Sequence, residues 1–124
     1  MYRLGNEKNS LNVVSDQIGT PTYARDLAKV CLDIISDIQK IPNKSKVYHY
    51  SNEGVASWYD FACSVIELSG SKCKVKAIQT IDYPTSAKRP HYSVLNKTKI
   101  KNDFNIEIPH WKESLKDCIN KLNQ

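Results

Sequence analysis

Glycine is scarce in this sequence, and its four glycines stand alone. Gly5, Gly19, Gly54 and Gly70 lie more than ten residues apart, whereas a dinucleotide-binding loop needs glycines grouped so that the backbone can approach a pyrophosphate at a helix N-terminus. None of the seven tyrosines is followed four residues later by lysine, so the tyrosine–lysine pair of one large class of reductases is missing as well. There is no Gly-x-Ser-x-Gly elbow, Walker loop or His-Glu-x-x-His helix. The three histidines, His49, His91 and His110, are scattered and read as surface or loop residues. The four cysteines, spaced 32, 10 and 45 residues apart, form no Cys-x-x-Cys and have no histidine at metal-ligand spacing, which argues against zinc. Cys31 and Cys118 fall on the apolar faces of expected helices, where a free thiol behaves as a small hydrophobe. No signal peptide and no apolar run of membrane-spanning length is present. The expectation is a reduced, cytoplasmic protein without a membrane segment.

With 124 residues and 14.1 kDa, the chain is long enough for one core. A self-contained globule of this mass buries roughly 13,700 Å², about two-thirds of its extended surface. It is too short to hold both a dinucleotide domain and a substrate domain. A 40% hydrophobic and 25% charged composition excludes a disordered or collagen-like chain. The net charge of +5 is unevenly placed: residues 1–62 carry seven charges of each sign, while residues 63–124 carry eleven basic and six acidic ones. Lys72, Lys74 and Lys76, then Lys97, Lys99 and Lys101, recur at period 2, which on a strand lines one face. Such a face suits a phosphorylated partner or a solvated surface. No RNP, zinc-finger or basic-zipper pattern accompanies it, and nucleic acid is not expected as a partner.

Along the chain, Leu11–Val14 reads as a short strand and 16–22 as a loop rich in turn residues. A helix is expected from Thr20–Pro21 or Thr22 to about Gln39, with Ala24, Leu27, Ala28, Cys31, Ile34, Ile35 and Ile38 at helical spacing. Pro42 and Asn43 end that unit. Val47–Tyr50 has the aromatic and β-branched content of a strand. Ser57 and Asp60 form a capping box ahead of Trp58, Phe61, Ala62, Val65 and Ile66, and Gly70 suits the helix C-terminus. A half-exposed strand follows over 74–81, then a short helix capped by Asn96 and running through Phe104, and a final helix from Trp111. Strands separated by helices imply an α/β layer arrangement, and three short strands make a thin sheet that wants neighbours.

Three loop motifs suit ligand binding. Asp16–Thr22 precedes the first long helix, whose N-terminus offers amides to an anion, with Gln17 and Thr22 as neutral donors; plain turn and cap chemistry accounts for it equally. In Tyr83–Asn96, Pro90 biases Arg89 to an extended backbone that projects its guanidinium, a fork suited to pyrophosphate or carboxylate, although an exposed basic loop is the simpler reading. Ser57–Ala62 places aromatics at a helix start, for stacking on a sugar or base or for capping and core packing. Trp111 reads chiefly as core.

Taken together, Asp16-Gln-x-Gly-x-Pro-Thr22, Ser57-Trp-Tyr-Asp-Phe-Ala62, Tyr83-Pro-Thr85, Ala87-x-Arg-Pro-x-x-Ser93-x-Leu95 and the closing Trp111 resemble, in order and interval, the C-terminal part of dTDP-4-dehydrorhamnose reductase. The resemblance covers nearly the whole chain. It implies an α/β fold, the C-terminal portion of an extended Rossmann-type reductase of the short-chain dehydrogenase/reductase superfamily. In that family an N-terminal Rossmann domain binds NADPH or NADH and supplies the catalytic Tyr and Lys, and the 4-keto group of dTDP-6-deoxy-L-lyxo-4-hexulose is reduced to give dTDP-L-rhamnose for cell-surface polysaccharide. Met1–Gly5 looks like an internal segment of the family, so the chain reads as one substrate-binding domain, 1–124, lacking the cofactor-binding half. The resemblance implies that Gln17, Gly19, Pro21 and Thr22 line the cleft, that Arg89 meets the dTDP pyrophosphate, and that Tyr83 and Ser93 assist. No catalytic, cofactor-binding or metal residue is expected here, no cofactor is expected to bind this chain alone, and the chain alone is expected to be inactive. Its expected partners are a dTDP-sugar nucleotide, the Rossmann half and a second copy through an exposed apolar edge. The other reading is a non-catalytic regulatory module of the same superfamily, like the regulatory subunit of methionine adenosyltransferase.

Overall fold

A computed structural model describes residues 1–37 and 46–124. The expected helix end near Gln39 and the break at Pro42 and Asn43 lie outside the described residues. The elements are α1 (Tyr2–Glu7), β1 (Ser10–Val14), β2 (Ile18–Gly19), α2 (Ala24–Ser36), β3 (Ala56–Ser57), α3 (Trp58–Ser69), β4 (Lys74–Ile78), β5 (Tyr92–Ser93), α4 (Thr98–Phe104) and α5 (Trp111–Leu122), with a 3-10 turn at Thr80–Asp82. The α/β expectation holds. β1 pairs in parallel with β4, Leu11 against Val75 and Val13 against Ala77. A second, small sheet has the order β3–β2–β5.

Helix α3 organises the core because it is apolar on two sides. Ala62 and Ile66 meet Leu11, Val13 and Cys73 beneath the β1–β4 ladder, and Val65 meets Ala56, Trp111, Leu115 and Ile119 of the α5 side. Its ends are fixed locally, as expected. Ser57 Oγ accepts from Asp60 N (3.0 Å) while Asp60 accepts from Ser57 N (3.0 Å), and Gly70 closes the helix in the left-handed region at φ 68°. Helix α1, a six-residue turn too short to show a periodic pattern in the sequence, sends Leu4 and Tyr2 to the two core clusters. Gly5 permits that approach: a Cβ there would lie 2.3 Å from Ile66 Cδ1.

Three expectations need correction. Helix α2 begins at Ala24, not at Pro21 or Thr22; Thr22 Oγ1 instead donates to Thr20 O (3.1 Å), and the N-cap is Tyr23. Val47–Tyr50 forms no strand. It docks on α4: the Tyr48 ring meets Phe104 at 5.2 Å, its hydroxyl donates to Asp103 (2.8 Å), and Lys99 donates to Val47 O (2.8 Å) while lying 4.6 Å from the Tyr48 ring centre. The short helix expected through Phe104 is present as α4, with Asn96 Oδ1 accepting from Thr98 N (2.9 Å), and the lysines it carries are engaged: Lys97 (2.9 Å) and Lys101 both pair with Glu53. Cys31 is exposed rather than buried on its helix.

That last correction belongs to a larger feature. Val30 is buried and Asp26 and Ile34 are half-buried on the inward side of α2, but Leu27 (40% exposed), Cys31, Leu32 and Ile35 (60% exposed) face outward. Total accessible surface is 8888 Å², above the roughly 6,700 Å² expected of a self-contained monomer of this mass. Helix α2 is attached mainly through polar groups. Asn52, fully buried, accepts from Tyr23 N (2.8 Å) and donates to Asp26 (2.8 Å) and Ser114 (2.8 Å), and Ser114 Oγ donates to the same Asp26 carboxylate (2.5 Å).

Candidate functional site

The segment after β1 turns sharply because Asp16 anchors it. Its carboxylate accepts from Thr80 N (2.9 Å) and Thr80 Oγ1 (2.7 Å), and the Thr80 hydroxyl, acting against partial desolvation, holds the Asp16 carboxyl below the usual carboxylate range. Gln17 Nε2 donates to Thr80 Oγ1 (3.1 Å), which leaves its carbonyl oxygen free of that bond. His91 Nδ1 lies 3.0 Å from Asp16 O, so that nitrogen carries the hydrogen and ties the 83–93 segment to the same turn. The ladders Gly19↔Ala56 and Gly19↔Ser93 then fix this turn against β3 and β5.

These ties bring together residues far apart in sequence. Gln17, Tyr83 and Arg89 line one cavity of about 280 Å³ with Asn12, Val14 and Trp58. Pro21 and Thr22 line a neighbouring cavity of about 370 Å³ with Phe61, Trp111 and Leu115, and Trp58 walls both. Gly19 and Ser93 line neither; they face each other in the β2–β5 ladder and hold the two loops in register. At the start of α2, Tyr23 N bonds Asn52 and the first turn carries the Asp26 carboxylate, which disfavours an anion there. A groove of about 600 Å³ runs beside α2, and among the described residues Asp26, Asp33, Asp37, Glu107 and Lys29 line it.

Among the described residues Arg89 is the basic side chain that lines the smaller cavity together with Gln17. Two residues carry no sequence signal: Asn12, which lies between the buried Leu11 and Val13 on β1, and Asn52, whose partners lie 26 to 62 residues away. Among the described residues no group of three potential metal ligands is present, and no helix is long and apolar enough to cross a membrane.

The model of the RmlD substrate binding domain matches residues 1–124. A dTDP-4-dehydrorhamnose reductase of Aggregatibacter actinomycetemcomitans is 40% identical over 94% of this chain and 42% of its own length. The crystal structure of a dTDP-4-dehydrorhamnose reductase from Clostridium acetobutylicum superposes with a TM-score of 0.87 at 38% identity, covering 98% of this chain and 42% of that one. The corresponding Bacillus anthracis reductase, solved in complex with NADP, gives 0.84 at 31% identity, covering 96% of this chain and 40% of that one. The chain therefore spans about two-fifths of the length of the relatives it matches. It belongs to the RmlD substrate-binding-domain family.

Proposed function

We propose that this chain is the sugar-nucleotide-binding part of a dTDP-4-dehydrorhamnose reductase, the enzyme that reduces the 4-keto group of dTDP-6-deoxy-L-lyxo-4-hexulose to give dTDP-L-rhamnose. The observation that carries this is the cavity itself, in which the Asp16 turn and the Tyr83–Arg89 loop put Gln17, Tyr83 and Arg89 on one wall system. The Arg89 guanidinium takes the diphosphate as a bidentate, charge-assisted pair, and the loops around it orient the sugar for reaction. Pro21 and Thr22 border the adjoining cavity, and Gly19 and Ser93 keep both loops in place.

The glycines of this chain do not fit a dinucleotide. Gly5 serves helix packing, Gly54 and Gly70 serve positive-φ turns, and a Cβ on Gly19 would meet Ser93 O at 3.6 Å, an ordinary contact. NADPH or NADH and the proton donor therefore belong to a cofactor-binding half of the reductase, in the cytoplasm. That half supplies a natural cover for the outward face of α2 and for the free edges of the two-stranded β1–β4 sheet. The regulatory-module reading gains no support from relatives named as reductases.

Calorimetric titration of the chain with dTDP tests the reading. Saturable binding that Arg89→Ala weakens by tenfold or more, with the thermal melt unchanged, is the expected outcome. An unchanged dissociation constant removes Arg89 from the site.

A further inference from the structure

Every residue from Ile81 to Pro90 is exposed, although Tyr83, Thr85 and Arg89 of this loop wall the smaller cavity. Among the described residues, the bond that the loop makes to itself beyond Tyr83 is Thr85 Oγ1 donating to Ala87 O (2.9 Å). An exposed segment with so little internal bonding keeps one shape only if its two ends are fixed. Both ends converge on Asp16. At the entering end the Asp16 carboxylate accepts from Thr80 N (2.9 Å) and Thr80 Oγ1 (2.7 Å). At the leaving end the Asp16 backbone carbonyl accepts from His91 Nδ1 (3.0 Å), and the carboxylate lies 3.7 Å from the same ring nitrogen. The amide of Ile18 adds a bond to His91 O (2.7 Å).

Arg89 stands two residues from that leaving end, and two residues of extended chain reach at most about 7 Å. Pro90, between them, has its own φ locked at about −65° and biases Arg89 to an extended backbone. A tie at His91 is therefore passed to Arg89 with little slack.

We infer that Asp16 is a positioning residue for Arg89: it closes the neck of the 81–90 loop, holding one end with its side chain and the other with its backbone carbonyl. This rests on the dTDP-binding reading and adds to it what keeps the guanidinium in place before a diphosphate arrives. With the neck closed, the loop is ordered in advance; with the neck open, the same ordering is charged against binding, and affinity falls although no contact to the ligand is removed. The carboxylate is suited to the task because the Thr80 hydroxyl favours its charged form.

The test is a double-mutant cycle read by dTDP titration, run beside limited digestion with trypsin. Trypsin reports on the neck because Lys88 is a cleavable site within the loop, whereas the Arg89–Pro90 bond resists the enzyme. Asp16→Ala weakens dTDP by about fivefold or more in the parent chain but by less than about twofold in Arg89→Ala, since a residue that acts through Arg89 then has nothing left to position. Cleavage after Lys88 quickens by about tenfold in Asp16→Ala, while cleavage after Lys72, exposed but outside the loop, keeps its rate. Asp16→Asn, which retains an acceptor oxygen, recovers most of the lost affinity. His91→Ala opens the leaving end alone at a side chain that is 75% exposed. It weakens dTDP by about threefold with an unchanged melt and decides the matter if Asp16→Ala fails to fold. Equal losses of affinity in the two backgrounds, faster cleavage at both lysines, or full affinity in His91→Ala overturn the positioning role and leave the dTDP reading standing. Absence of dTDP binding by the parent chain overturns both.

Discussion

Helices α2 and α3 have similar lengths and both carry apolar residues at helical spacing, yet they end in opposite situations. In α3 the apolar positions Ala62, Val65 and Ile66 are all buried between the β1–β4 ladder and α5. In α2 only Val30 is buried, the helix is joined through Asn52 and Ser114 to its Asp26 carboxylate, and Leu27, Cys31 and Ile35 face outward. Helical periodicity reports that a face will be covered but is silent on what covers it. For α3 the cover lies within these residues; for α2 we assign it to the cofactor-binding half.

The contrast can be broken first at the closed side. Trp111→Ala removes the largest side chain of the α3–α5 cluster, and about 4 kcal/mol of stability should be lost in chemical denaturation. At the polar joint, Asn52→Ala leaves the Tyr23 amide without its acceptor and takes from the half-buried Asp26 carboxylate one of its two donors, the Ser114 hydroxyl remaining, and about 1–3 kcal/mol should disappear; retention of wild-type stability would show that water substitutes for Asn52. The capping box gives a smaller, pH-dependent signal. The Ser57 hydroxyl and amide hold the Asp60 carboxyl below its ordinary value of 3.8, so its contribution is present above that value and fades as the pH falls through and below it. Asp60→Asn should therefore cost roughly 0.5–1 kcal/mol at neutral pH, with the gap from the parent chain closing in acid. The smallest effect belongs to the open face. Ile35→Glu should alter monomer stability by no more than about 0.5 kcal/mol, while sedimentation shows any self-association of the parent chain abolished. A large destabilisation would mean that the α2 face is covered within the chain after all.

Features legible in the sequence were those decided locally. Ser57, Asp60 and Gly70 announce the two ends of α3 because a cap is made by neighbours within a turn. The two-residue strands β2, β3 and β5 left no pattern, since their ladders are single exchanges between loops. Val47–Tyr50 has strand composition, but its aromatic ring found Phe104 and Lys99 on a helix before any strand edge, an instance of tertiary context overriding propensity. Asn52 was invisible because its value lies in satisfying Tyr23, Asp26 and Ser114 at once. Around the cavity, Gln17 was readable as a neutral donor and Arg89 as a projecting guanidinium, and Tyr83 only through the family motif, while the cavity joining them depends on Asp16 reaching Thr80 across 64 residues.

The claim that this cavity is the nucleotide site is tested most directly by amide and indole NMR spectra of the chain during titration with dTDP. The account predicts saturable shifts concentrated at Gln17, the Trp58 indole N–H and residues 83–89, all suppressed in Arg89→Ala. Shifts confined instead to the acidic groove beside α2, or none at saturating dTDP, would contradict it.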